Sequence, residues 1–97
     1  MAVVKRTEKE NGVVECIIDS TNILMSEYDR SKQTLKLTFK AGTQYLYKGI
    51  IDRDYVRFEV SESQGSVFNK TMRKYESEKL GSIDVTPIIE LIKENKG

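Results

Sequence analysis

Histidine is absent from this 97-residue chain, and cysteine occurs once, as Cys16. Without histidine, the commonest general base and metal ligand is missing. A lone cysteine can make no internal disulfide and no thiolate pair for zinc. No apolar run is long enough to cross a membrane, and the opening MAVVKRTEK lacks the apolar core of a signal peptide. Together these absences predict a protein of the reducing cytoplasm. There is also no Gly-rich phosphate loop ending in Lys-Ser/Thr. The acids stand singly or beside cations, as in Asp52-Arg53-Asp54 and Glu76-Ser77-Glu78-Lys79, which is how a solvated face reads. A serine or threonine nucleophile would need a base that cannot be identified. The expectation is a non-enzyme holding no metal and no cofactor.

Charged residues make up 32% of the chain and hydrophobic ones 38%, with a mean hydropathy of −0.49. That suits one small core in a single domain over residues 1–97. The formal charge is +1, so any attraction to nucleic acid must come from a local patch rather than from bulk charge.

Periodicity supplies the elements. In AVVKRTEKENGVVECII, Asn11-Gly12 lies between two Val-rich runs, which predicts a hairpin closed by a type I′ turn. Val14, Cys16 and Ile18 fall on one side of the second run, making Cys16 a small core residue rather than a nucleophile. NILMSEYD reads as a strand closed by the polar DRSKQ. TLKLTFK alternates Leu35, Leu37 and Phe39 against Lys36, Thr38 and Lys40, the pattern of a strand with one wet face. Ala41-Gly42 turns the chain, and QYLYKGI returns beside it, completing a three-stranded antiparallel meander.

DRDYVRFEVSE fits two elements. Val56, Phe58 and Val60 alternate as in a strand, yet Asp52 could cap a helix pairing Tyr55 with Phe58 and Val56 with Val60. SQGSVFNKTMRKYESEK is helical by its Phe68, Met72 and Tyr75 stripe, with Lys70, Arg73 and Lys74 on the opposite side. TPIIELIKENKG predicts a last helix with Thr86 as N-cap and Pro87 at its first position. Its apolar side is Ile88, Ile89, Leu91 and Ile92. That face packs on the domain or on a partner, including a second copy of the chain.

Tyr45 and Tyr47 straddle Leu46 and point the same way on an extended chain. Outward, they form a stacking platform for bases; inward, they are core. Two rings outweigh one leucine in buried area at about 25 cal/mol per Å², so an inward or half-inward orientation is expected.

Asn22-Ile23, Tyr28-Asp29, the LKLTF strand, Tyr45-Leu46-Tyr47, Tyr55, and Phe68-Asn69 with Arg73 and Tyr75 together resemble the KTSC domain. This small family is named for its place at the C-terminus of some lysyl-tRNA synthetases, and it also occurs as small bacterial and phage proteins. The resemblance runs from about Ser20 to Leu80, leaving the N-terminal hairpin and the C-terminal helix as extensions. It implies a helix for DRDYVRFEV and suggests RNA binding, and it brings no catalytic residues. Two departures stand out. Ser26 occupies a position where an apolar residue is expected, a change able to shift the strand register, and no proline leads into the first helix.

The expected fold is therefore α+β, an antiparallel sheet of three to five strands with two or three helices on one face. The expected function is binding. RNA would meet Lys70, Arg73 and Lys74, with Lys36, Lys40 and Lys48 extending the patch if the helix packs on the sheet edge. Ordinary solvated faces carry such lysines too. The alternative is a protein-interaction or regulatory module that docks on a larger protein, or self-associates through the C-terminal helix.

Overall fold

The computed structural model describes residues 3–20, 22–61, 67, 68, 70 and 73–96. Six strands, β1 (Val3–Glu8), β2 (Val13–Ile18), β3 (Ile23–Asp29), β4 (Thr34–Phe39), β5 (Thr43–Lys48) and β6 (Ser77–Ser82), form one sheet. Strand order follows the sequence, and every neighbouring pair is antiparallel. Helix α1 (Asp52–Val60) stands between β5 and β6, and α2 (Thr86–Lys96) closes the chain. The class is α+β, as the patterning predicts, but the sheet has six strands rather than three to five. The additional strand is β6, SEKLGS, whose residues are exposed apart from a half-buried Gly81. It contributes no side chain to the core that alternation could reveal, and pairing with β5 alone specifies it.

The first hairpin is closed differently from its expected type I′ turn. The Gly12 N–H donates to Lys9 O (3.1 Å) and the Lys9 N–H to Val13 O (2.8 Å). Only Gly12 in this turn takes a positive φ, 81°. This is a longer loop built on a type I turn, with glycine in the left-handed position. At the β4–β5 turn, Gly42 has φ 95° and donates its N–H to Phe39 O (2.8 Å). It accepts from the N–H of Ile83 (2.9 Å), and a Cβ built there would lie 2.6 Å from Ile83 O. Glycine is required at Gly42 on both counts.

The two faces of the sheet carry separate cores. Val14, Cys16, Ile18, Ile23, Tyr28, Leu35, Leu37 and Tyr47 face α1, where Tyr55 and Phe58 cover them. Tyr28 and Tyr55 stack with centroids 4.1 Å apart and planes within 7°. On the opposite face Ile17 and Leu24 pack under Ile88 and Ile92 of α2, with Val4, Met25, Val85 and Ile89 around them. The helices thus lie on opposite faces, not on one. Two features of the strands cause this. VVECII offers Ile17 to the second face as well as Val14, Cys16 and Ile18 to the first. In β3 the register shifts between Ile23 and Met25, so Leu24 and Met25 join the α2 core while Ile23, Ser26 and Tyr28 stay on the α1 side. Ser26 sits opposite Cys16 and Leu37; it is buried, and its hydroxyl has no hydrogen-bond partner among the described residues.

The helix starts also differ in detail. Asp52 is the first residue of α1, not its cap; Ile51 precedes the helix with no side-chain capping bond. The Asp52 carboxylate, favoured near a helix N-terminus, accepts from Arg30 Nε (3.0 Å) and the Tyr28 hydroxyl (3.2 Å). At α2, Asp84 rather than Thr86 supplies the capping carboxylate, accepting the Thr86 N–H at 3.0 Å.

Candidate functional site

Phe68 anchors the segment that carries the basic residues. Its ring meets Phe39 at 5.6 Å and Tyr47 at 5.4 Å, both edge to face, on the sheet face that α1 shares. Val67, Phe68 and Lys70 have helical backbone, and Arg73 to Tyr75 form a turn and bend. The Arg73 N–H closes onto Phe68 O at 3.0 Å. Of the rest of the predicted helix, Met72 lies outside the described residues, whereas Ser77, Glu78 and Lys79 are not helical: pairing with Tyr47, Leu46 and Tyr45 of β5 draws them into β6. Tyr75 folds back onto α1 and donates its hydroxyl to Asp54 Oδ2, which leaves that buried carboxylate satisfied. Lys74 Nζ lies 4.0 Å from the same oxygen and 5.4 Å from the centre of the Tyr75 ring.

Lys70, Arg73 and Lys74 are all exposed, and the fold gathers them beside the aromatic cluster. Tyr45 and Tyr47 face that cluster, opposite Leu37 and Leu35 of β4. Tyr47 is 6% exposed, whereas Tyr45 is half-buried and meets Phe39 edge to face at 5.8 Å. Burial raises the Tyr47 phenol above its ordinary range, neighbouring Tyr45 adds to this, and Arg73 works against it.

The sheet lysines are elsewhere. Lys36 and Lys48 project from the face opposite α1, where Lys36 pairs with Glu27 (3.4 Å) and Lys48 with Glu78 (3.4 Å). Lys9 bridges Glu15 and Glu27 on that same surface, making it a mixed-charge lattice. Lys40 is exposed in the β4–β5 turn, its N–H held by Asn22 O at 2.7 Å. The fold therefore parts Lys36 and Lys48 from the Phe68 segment that carries Lys70, Arg73 and Lys74.

Other polar groups converge at α1 that periodicity could not pair. Glu59 Oε1 accepts from Arg6 Nε (2.9 Å), the Tyr55 hydroxyl (2.9 Å) and Cys16 Sγ (3.6 Å). Burial foremost pushes the Cys16 thiol up, so it persists as a protonated donor and not as a thiolate. Tyr55 and Glu59 are one helical turn apart, the only sequence signal for this contact; Arg6 and Cys16 arrive from β1 and β2. Among the described residues, no group of Cys, Asp and Glu is arranged to hold a metal ion, and no helix is long and apolar enough to cross a membrane.

This arrangement surrounds the segments on which the resemblance rests, and a family model of the KTSC domain matches residues 19–75, more than half of the chain. The chain belongs to the KTSC domain family. The matched stretch leaves β1, β2, β6 and α2 outside it. The chain is also similar to the crystal structure of a KTSC domain protein from Yersinia pestis, at 24% identity and a TM-score of 0.64. That match covers 79% of this chain and 97% of the other, and at this identity it speaks for the shared fold. No curated protein matches the chain. Within the KTSC fold, Tyr45-Leu46-Tyr47 is the central stretch of β5, its two rings forming one wall of the cluster that seats Phe68.

Proposed function

We propose that this KTSC domain, of bacterial or phage origin, is a non-catalytic binding module. Its ligand is single-stranded RNA, taken on Lys70, Arg73 and Lys74. The observation that carries the reading is the clustering of these exposed cations around the Phe68 anchor, beside the half-buried ring of Tyr45. Cations at this spacing reach two or three phosphates, and an aromatic edge beside them gives an unstacked base a surface to lie on. Lys36 and Lys48 contribute little, since they stand with Glu27 and Glu78 on the far side of the sheet from this segment. A reducing cytoplasm goes with this reading, because Cys16 is a free thiol within the core. Self-association through the last helix has less support, for Ile88 and Ile92 are buried against the chain's own sheet.

The test is binding of a labelled oligouridylate across a salt series. Reversal of Lys70, Arg73 and Lys74 to Glu should weaken binding. It should also lower the slope of log K against log salt by about 1.5 to 2, at roughly 0.7 per phosphate for single strands. An unchanged slope removes this cluster from the contact surface.

A further inference from the structure

Helix α1 presents a second basic stripe that neither composition nor the family match assigns. Arg53, Val56, Arg57 and Val60 fall at i, i+3, i+4 and i+7, one face of the helix, and all are exposed. Buried Tyr55 and Phe58 fix that face outward by occupying the inward one.

The charge of this stripe is not cancelled locally. Each carboxylate on α1 is engaged elsewhere: Asp52 with Arg30, Asp54 with Tyr75 and Lys74, Glu59 with Arg6 and Tyr55. Neither Arg53 nor Arg57 pairs with a carboxylate among the described residues. The valines between them are small and place no acid in the path.

The stripe also joins the proposed RNA surface. Arg53 adjoins Asp54 in the first turn of α1, and Lys74 Nζ lies 4.0 Å from the Asp54 carboxylate oxygen that the Tyr75 hydroxyl contacts. Arg53 is thus next in the chain to the carboxylate that Lys74 reaches, and Arg57 follows Arg53 by a single turn, about 6 Å along the axis.

Resting on the RNA reading above, we infer that Arg53 and Arg57 extend that site. The phosphate track runs from Lys70, Arg73 and Lys74 across the outer face of α1, not over the sheet lysines. Guanidinium groups suit this role, since their planar forks bind phosphate and stack on bases.

Three variants separate the inference from the reading beneath it, each checked for native circular dichroism and titrated with labelled oligouridylate across a salt series. They are Arg53→Glu/Arg57→Glu, Lys70→Glu/Arg73→Glu/Lys74→Glu, and Lys48→Glu/Lys93→Glu. The last matches the charge change of the first but lies on other faces. The α1 double variant should lower the salt slope by about 1.4, for two contacts at roughly 0.7 each, and bind more weakly than the Lys48/Lys93 control. An α1 variant that behaves like that control, while the triple variant loses binding, overturns the inference and leaves the RNA reading standing. Wild-type protein that fails to bind, or a triple variant that binds normally, removes both.

Discussion

Replacing Tyr47 with alanine separates a core role for the central tyrosines from a contact role, because the two roles fail differently. Tyr47 is 6% exposed. Its ring meets Phe68 at 5.4 Å and Tyr45 at 6.4 Å, with Leu35 opposite it on β4. Truncation leaves a cavity under the Phe68 anchor, and loss of a buried aromatic ring costs on the order of 3 to 5 kcal/mol. For a small domain that is much of the total stability. Tyr45, half-buried beside Phe39, should cost less on truncation, about 1 to 2 kcal/mol, since part of its area is already in water. Tyr47→Phe keeps the ring and should stay within about 1 kcal/mol of wild type. Urea unfolding monitored by circular dichroism measures all three midpoints. RNA titration of the variants that stay folded should show the reverse bias, with Tyr45→Ala losing about 1 to 3 kcal/mol of affinity as a stacking contact. A Tyr47→Ala protein with an unchanged urea midpoint would refute the packing argument and make the β5 tyrosines a surface.

Gly42→Ala combines a left-handed backbone with a Cβ 2.6 Å from Ile83 O, so it should destabilise by about 2 kcal/mol or more; a midpoint shift within error in thermal unfolding would contradict the close approach. Deleting residues 86–97 uncovers Ile17 and Leu24 and removes Ile88 and Ile92 from their core, at about 1.5 to 3 kcal/mol per isoleucine. A truncated chain that sediments as a monomer with wild-type melting would place the helix outside the fold. Burial above all raises the Tyr28 phenol from 10.0 to about 12. A raised pKa in the folded state gives stability that is complete below the unfolded value and lost above it. Denaturant midpoints should therefore fall between about pH 10 and 12, and Tyr28→Phe should flatten that fall; an unchanged profile in that variant would show the alkaline loss to come from other groups.

The fold was readable wherever one strand face is dry. Leu35, Leu37 and Phe39 announce β4, Tyr45 and Tyr47 announce β5, and Val14, Cys16 and Ile18 announce β2, since period-two burial leaves its mark on residue types. It was opaque where both faces are dry or neither is. Ile17 lies within a run already explained by its neighbours, so the second core under α2 was invisible and both helices were expected on one face. The β3 irregularity between Ile23 and Met25 breaks the alternation that would have exposed Leu24. β6 is the opposite case: its hydrogen bonds to β5 define it, and hydrogen bonds leave no pattern in side chains.

The candidate site divides along the same line. Spacing along one segment is what grouped Lys70, Arg73 and Lys74, because they lie within five residues of one another in the chain. Joining them to Lys36 and Lys48 required knowing which sheet face each element covers, and alternation gives sides only relative to one strand, not relative to a later segment. Once Phe68 is seated among Phe39, Tyr45 and Tyr47, the cations that follow it must stand on the α1 side. Lys36 and Lys48, alternating with Leu35, Leu37 and Tyr47, must stand on the other. One aromatic contact thus decides which basic residues can share a face of the fold with the Phe68 segment. It also explains why Arg53 and Arg57, which belong to no run of basic residues in the sequence, are better placed to extend the proposed patch than lysines that alternate conspicuously along a strand.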